Sequence, residues 1–243
     1  MRHVIVIPER YRIGDTISFK VRRVPSLQCD RLTVCCPEAW AFLYPTATDF
    51  VYVDEMLDGL GERRVVGELK RQYPKADFVK IGWQHPADEQ FSVTVPERPA
   101  VQTDVLIAPR KKPDSSTHRD WQGWPAMANA LERQGLSVKA IGRADMSFDC
   151  GLPFVEDLRD IAAHMQQTRF VLSTDSGLAR LAILLRVPLI VLWGTPVGVI
   201  PGQTYEKGCH KRMEQQKKAP VVHIEGAWEH IDFAIQEVLK IVA

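Results

Sequence analysis

The stretch STDSGLARLAILLRVPLIVLWGTP, residues 173–196, decides how the chain is read. It runs from a strand end through an abrupt polar turn into a helix, and then into a second strand. Leu189–Trp193 is uninterruptedly apolar, as a strand is when both faces of its sheet are covered. Between the two apolar segments stand Thr174, Asp175, Ser176 and Gly177. One reading makes Asp175 and Ser176 ordinary helix caps. The other uses the first N–H groups of the helix, which lack intrahelical partners and sit at the positive end of the dipole. With no Cβ at Gly177, an anionic group could then approach the backbone closely. On this stretch alone both readings stand.

Outward from that turn, apolar runs and helical periods alternate. Val105–Ala108, Ser137–Ile141 and Phe170–Ser173 read as strands. Trp124, Met127, Ala128 and Leu131 fall at i, i+3, i+4 and i+7, and Gly135 stops that helix. Leu158, Ile161, Ala162 and Met165 mark another helix. The last helix carries Trp228, Ile231, Ile235, Val238, Leu239 and Val242 on one side. Earlier in the chain, His3–Ile7, Leu32–Cys36, Phe50–Val53, Phe78–Ile81 and Phe91–Val95 read as extended. Helices are expected near residues 15–23, at Glu38–Leu43 and over residues 62–73. VPERPAVQTD, residues 95–104, breaks the pattern with two prolines and no apolar period, and reads as a linker. Strand and helix in alternation predict parallel sheets with helices on their faces. The expected division is residues 1–98 and 99–243.

The 243 residues carry 31 basic and 30 acidic side chains and are 45% hydrophobic. That balance gives no whole-chain argument for a nucleic-acid or membrane partner. Residues 203–220 hold Lys207, Lys211, Arg212, Lys217 and Lys218 and read as a solvated basic loop. The five cysteines show no CxxC pair or zinc spacing, as in a reducing cytoplasm, and Cys35-Cys36 reads as packing. MRHVIVIPER holds too short an apolar run for a signal peptide, and no stretch approaches the ~20 apolar residues of a membrane span. Gly59-Leu60-Gly61 lacks the strand that a dinucleotide fingerprint needs before it.

Three loops therefore gather at one sheet edge: Thr174–Leu178, Trp193-Gly194-Thr195-Pro196, and HRDWQGWP at residues 118–125. Together they offer backbone donors, a cation and aromatic rings, a set suited to a nucleoside diphosphate. The set resembles the C-terminal half of the heptosyltransferase-like glycosyltransferases, whose motifs are an N/S-D-[TS]-G-x-x-H-L-A helix start, F-G-[PT], and K/R-x-W-P. Ile13-Gly14-Asp15-Thr16-Ile17 is similar to that family's first G-D-x-[IVL] turn. Arg180 stands at the family's histidine, Leu178 where proline is frequent, and Arg119 at the more usual lysine.

The resemblance implies a GT-B-like α/β fold, two Rossmann-like parallel-sheet domains facing a cleft. The first, residues 1–98, would take the acceptor and the second, residues 99–243, the nucleotide sugar. The last helix, residues 227–242, is expected to pack back on the first domain. The implied activity is inverting, metal-independent glycosyl transfer in the cytoplasm, with no cofactor beyond the nucleoside diphosphate sugar. No Asp-x-Asp triplet occurs to bridge a metal and a diphosphate. The expected donor site is Arg119, Trp121, Thr174, Asp175, Ser176, Gly177, Leu178, Arg180, Gly194 and Thr195. Asp15 is the expected base, with N-capping as its alternative role. Glu9, Arg12, Trp83 and His85 are expected on the acceptor side. Arg143 and Asp145 follow a strand of the same edge, where an acid could hold a ribose hydroxyl or belong to a plain loop. The acceptor is a bacterial surface-glycan precursor or, on the alternative reading, hydroxymethylated bases in phage DNA, reached through Lys20, Arg22, Arg23 and the 207–218 segment. A non-catalytic nucleotide-sugar binder is the reading from another class.

Overall fold

A computed structural model describes residues 1–8, 28–44, 47–53, 59–81, 93–111, 120–194, 215 and 218–242. The chain divides into two compact units, Met1–Thr94 and Val95–Ala243.

The first unit holds β1 (His3–Pro8), β2 (Arg31–Cys36), β3 (Asp49–Tyr52) and β4 (Asp77–Ile81), with α1 at Gly59–Gln72. All pairings are parallel and the strand order is β3-β2-β1-β4. β1 is the central strand: Val4, Ile5 and Val6 are fully buried, which is why its sequence shows no polar alternation. Ile5, Ile7 and Cys35 pack with Leu69, Val65 and Val66 of α1. Cys35 and Cys36 are both buried, as packing residues. At the amino edge, Arg2 pairs with Asp77 at 2.9 Å and Arg31 with Asp49 at 2.6 Å, stitching neighbouring strands together. The expected helix at Glu38–Leu43 is a 3-10 turn after Pro37 that buries Trp40 and Leu43. Of the expected strand at Phe91–Val95, the described part, Val93–Val95, has no regular structure. The expected helix near residues 15–23 lies outside the described residues.

The second unit contains β5 (Thr103–Ala108), α2 (Trp124–Arg133), β6 (Val138–Ile141), β7 (Phe154–Val155), α3 (Leu158–Gln166), β8 (Thr168–Ser173), α4 (Gly177–Leu185), β9 (Leu189–Leu192), β10 (Val221–Ile224) and α5 (Ile231–Val242). Its six strands are parallel, in the order β10-β9-β8-β5-β6-β7. From β5 the chain winds outward to β7, then crosses back to β8 and winds the other way. This is a doubly wound sheet, and its direction reverses between β5 and β8. Val105, Ile107, Leu172, Ile190 and Leu192 meet α2 and α5 in one core. Strand alternation leaves Leu106, Val171 and Val191 for the opposite face, where α3 and α4 pack.

Ala234, Val238 and Val242 of α5 are buried in the second unit's core beside Met127 and Leu131 of α2.

Candidate functional site

In doubly wound sheets, ligands bind outside the carboxyl ends of the strands, where the winding reverses. Here that place is the end of β5 and β8, and the two ends are in register, Ala108 opposite Ser173. The quoted turn occupies it. Thr174, Asp175 and Ser176 are buried, whereas Gly177 and Leu178 are half-buried and form its outward part.

Ser176 has extended backbone angles and caps α4, its Oγ accepting from the Ala179 N–H at 3.1 Å. The Ser173 hydroxyl lies 2.8 Å from that Oγ. The capping reading is therefore realised, but a cap answers only one of the orphan donors of a helix start. The N–H groups of Gly177 and Leu178 precede the one that Ser176 answers. They point along the positive end of the α4 dipole, where negative charge is stabilised.

Beneath the turn, Arg180 reaches back to Asp175, Nη2 to Oδ1 3.4 Å, with side chains 10% and 3% exposed. A buried charge needs a partner, and this pair supplies one to both residues. The Arg180 cation thus braces the turn from inside.

Neighbouring loops close on the same place. Gly142 follows β6 with φ +116°, a conformation that L side chains rarely adopt. A Cβ there would stand 3.4 Å from Leu178 Cδ1 and 3.8 Å from Ser147 Oγ. Arg110 and Ser147 form an antiparallel bridge. Beside it the Phe148 N–H donates to the Pro109 carbonyl at 2.6 Å and the Lys111 N–H to the Met146 carbonyl at 2.8 Å. The loops after β5 and β6 are thereby held together, and Leu178 of the β8 turn lies beside Gly142. Arg143 grips Asp145 through Nε at 3.0 Å and Nη2 at 2.7 Å, and the guanidinium holds that carboxyl below its usual range.

Trp121, expected in the donor site, is buried in the core. It is 1% exposed, its indole N–H donates to the Ala227 carbonyl at 2.6 Å, and its ring meets Trp124 edge-on at 5.1 Å. Its ring faces are spent on packing. Gly194 is half-buried, with the Trp228 ring 3.4 Å from where its Cβ would be. Arg119, Thr195, Asp15, Glu9, Arg12, Trp83 and His85 lie outside the described residues. The strands before the last five are described. β1 and β4 are neighbours with Pro8 opposite Ile81, and the first sheet also reverses its winding between them. Residues 9–15 follow β1 directly, and Trp83 and His85 follow β4.

Lys111, Gly142 and Ser147 were not singled out from sequence. Lys111 stands in Arg110-Lys111-Lys112, just past the end of β5. Among the described residues, no group of three His, Cys, Asp or Glu is placed to hold a metal ion, and no helix is long and apolar enough to cross a membrane.

No protein-family model matches the chain, and no curated protein matches it. Solved structures do. The E. coli ADP-heptose LPS heptosyltransferase II is similar at TM-score 0.62 and 14% identity, over 99% of this chain and 97% of that one. The E. coli heptosyltransferase WaaC with ADP is similar at TM-score 0.55 and 11% identity, over 100% of both chains. The iron-containing dodecameric glycosyltransferase TibC of enterotoxigenic E. coli H10407 is similar at TM-score 0.53 and 16% identity, over 79% of this chain. The match spans 58% of the length of TibC. At such identities the likeness speaks for fold, and the chain has the two-unit, all-parallel α/β fold of the heptosyltransferase structures.

Proposed function

We propose that the chain is an inverting glycosyltransferase that takes a sugar from a nucleoside diphosphate donor and needs no divalent ion. The observation that carries this reading is the turn at the β5–β8 reversal. Its buried residues are fixed by the Ser176 cap and the Asp175–Arg180 pair, and its two outward residues begin a helix. The nucleotides named for the similar structures, ADP-heptose and ADP, belong to the same chemical class as the ligand such a turn suits.

In this reading the donor diphosphate lies against the N–H groups of Gly177 and Leu178, with Thr174, Ser176, Gly194 and Thr195 around it and Arg119 as a cation. As the bond between the anomeric carbon and the diphosphate breaks, negative charge grows on the leaving oxygen. Fixed dipoles and cations oriented beforehand stabilise that charge. No Asp-x-Asp triplet exists to do so through a metal. The acceptor hydroxyl attacks from the opposite side and gives its proton to a base, for which Asp15 is the candidate. The support for Asp15 is topological: its segment follows β1, which borders β4 where the first sheet reverses its winding. The acceptor class we assign is a glycan or glycolipid.

Thermal-shift screening of the full chain against a panel of nucleoside diphosphate sugars tests the donor reading. Gly177→Val should abolish the shift while the variant still melts cooperatively; a shift equal to the parent's would leave the turn as a cap and nothing more. Asp15→Asn should lower turnover about 100-fold at unchanged donor affinity, and full turnover would remove Asp15 from the mechanism. Transfer that dies in excess chelator and returns with Mg²⁺ would refute metal independence.

A further inference from the structure

The stretch that leads from the first unit into β5 is held at three points along one side of α3. Residues 95–102 open the second unit and have no regular structure. Arg98 Nε lies 3.8 Å from Asp160 Oδ1. The Val101 carbonyl accepts from the His164 ring and, at 3.1 Å, from the Thr103 hydroxyl. The Thr103 N–H donates at 3.4 Å to the carbonyl of Gln167, just past the helix. Asp160, His164 and Gln167 are spaced as neighbours on one helix face. Residues 98–102 thus lie as a strap across the end of α3.

Of the three points, only His164 is built into the interior. It is 7% exposed, and its Nδ1 is buried with no hydrogen-bond partner among the described residues. The bond to Val101 therefore comes from Nε2, and the ring that suits the place is neutral, with a bare Nδ1. A second proton would put an N–H donor where nothing accepts it and a charge where water is excluded. Both are costly. Lys139 of β6 opposes that charge, while Asp160, one turn earlier, favours it but is shared with Arg98. The charges of β8 and α4 are paired elsewhere, Arg169 with Asp104 at 3.3 Å and Arg180 with Asp175 at 3.4 Å. An imidazolium is thus driven out of this place, and its departure frees the Val101 carbonyl.

We propose that His164 is the catch of a pH-sensitive strap, which holds residues 98–102 on α3 while the ring is neutral and releases them when it is protonated. The folded ring titrates below the ordinary histidine value of about 6.5, so the strap is closed at neutral pH and opens as pH falls toward 5. Each residue released adds about 3.5 Å to the reach of the chain that connects the two units. Acid thereby lengthens that connection while both sheets stay folded.

The test is NMR relaxation of the full chain at about pH 7 and about pH 5. Backbone order parameters at Ala100, Val101 and Gln102 should fall from about 0.85 to below about 0.6, while Val105–Ala108 of β5 keep theirs. The fall should share its midpoint with the His164 imidazole resonance. His164→Gln offers the carbonyl an amide N–H and takes up no proton, so its strap should stay rigid at both values. An equal fall in His164→Gln would overturn the proposal, as would a strap in the parent that is mobile at pH 7 or rigid at pH 5. Loss of order in β5 together with the strap would mean unfolding of the unit and would overturn it too. Where His164→Gln does not fold, the parent decides: different midpoints for strap and imidazole refute the catch.

Discussion

The Asp175–Arg180 pair gives the most direct measure of how firmly the turn is built. Asp175→Ala would leave a guanidinium that is 10% exposed without its carboxylate. Breaking a buried pair by removing one partner costs about 3–5 kcal/mol, because the remaining charge is stranded. At 3.4 Å the contact is longer than an optimal charge-assisted bond, which argues for the lower end, about 3 kcal/mol. For a chain of this size that corresponds to a fall in melting temperature of about 6–12 °C. Replacing both residues is a different perturbation. Asp175→Ala with Arg180→Met removes the buried guanidinium together with its carboxylate and fills part of the space with apolar atoms, so most of the loss should return. Urea unfolding followed by tryptophan fluorescence is a suitable assay, since Trp121, Trp124, Trp193 and Trp228 all lie in the second unit. A full double-mutant cycle should give a coupling energy of about 2 kcal/mol or more. Should the single variant lose under 1 kcal/mol, or the two substitutions prove additive, the pair would not be bracing the turn.

Three further outcomes can be checked in the same way. A Cβ at Gly123 would collide with the ring of Trp121, which is buried and cannot swing aside; Gly123→Ala should cost about 3 kcal/mol in urea melts. Ser176→Ala removes the cap on the Ala179 N–H and should cost about 1 kcal/mol, with Ser176→Asn recovering most of it. Burial holds the His164 ring below its ordinary pKa, Lys139 pushing the same way against the Val101 carbonyl and Asp160. A depressed histidine stabilises the fold fully above about pH 6.5, and that contribution is lost as pH falls toward the lowered folded value. Melting temperature should therefore drop between pH 7 and 5, and the drop should be shallower in His164→Leu.

What the sequence made legible was whatever depends on near neighbours in the chain. Strands buried on both faces announce themselves as unbroken apolar runs, as in Val4–Ile7 and Leu189–Leu192. Helix α2 was visible because its buried residues, Trp124, Met127, Ala128 and Leu131, keep a helical period. β7 has two residues, and β10 carries a histidine and one fully buried side chain; neither is long enough to show a period. Trp121 stands in HRDWQGWP with a cation two residues away, which locally suits a ligand wall as well as a core. The group that satisfies it, the Ala227 carbonyl, is 106 residues away. The same limit applies to the site as a whole. Alternating strands and helices imply a parallel sheet, but nothing local says that the strand after α3 returns to pair with β5 instead of adding beyond β7. That one long-range pairing, Ala108 opposite Ser173, puts the Ser176 cap, Gly177 and the Lys111 loop at the edge of the same reversal point. It turns an ordinary capped helix start into a candidate for binding a diphosphate.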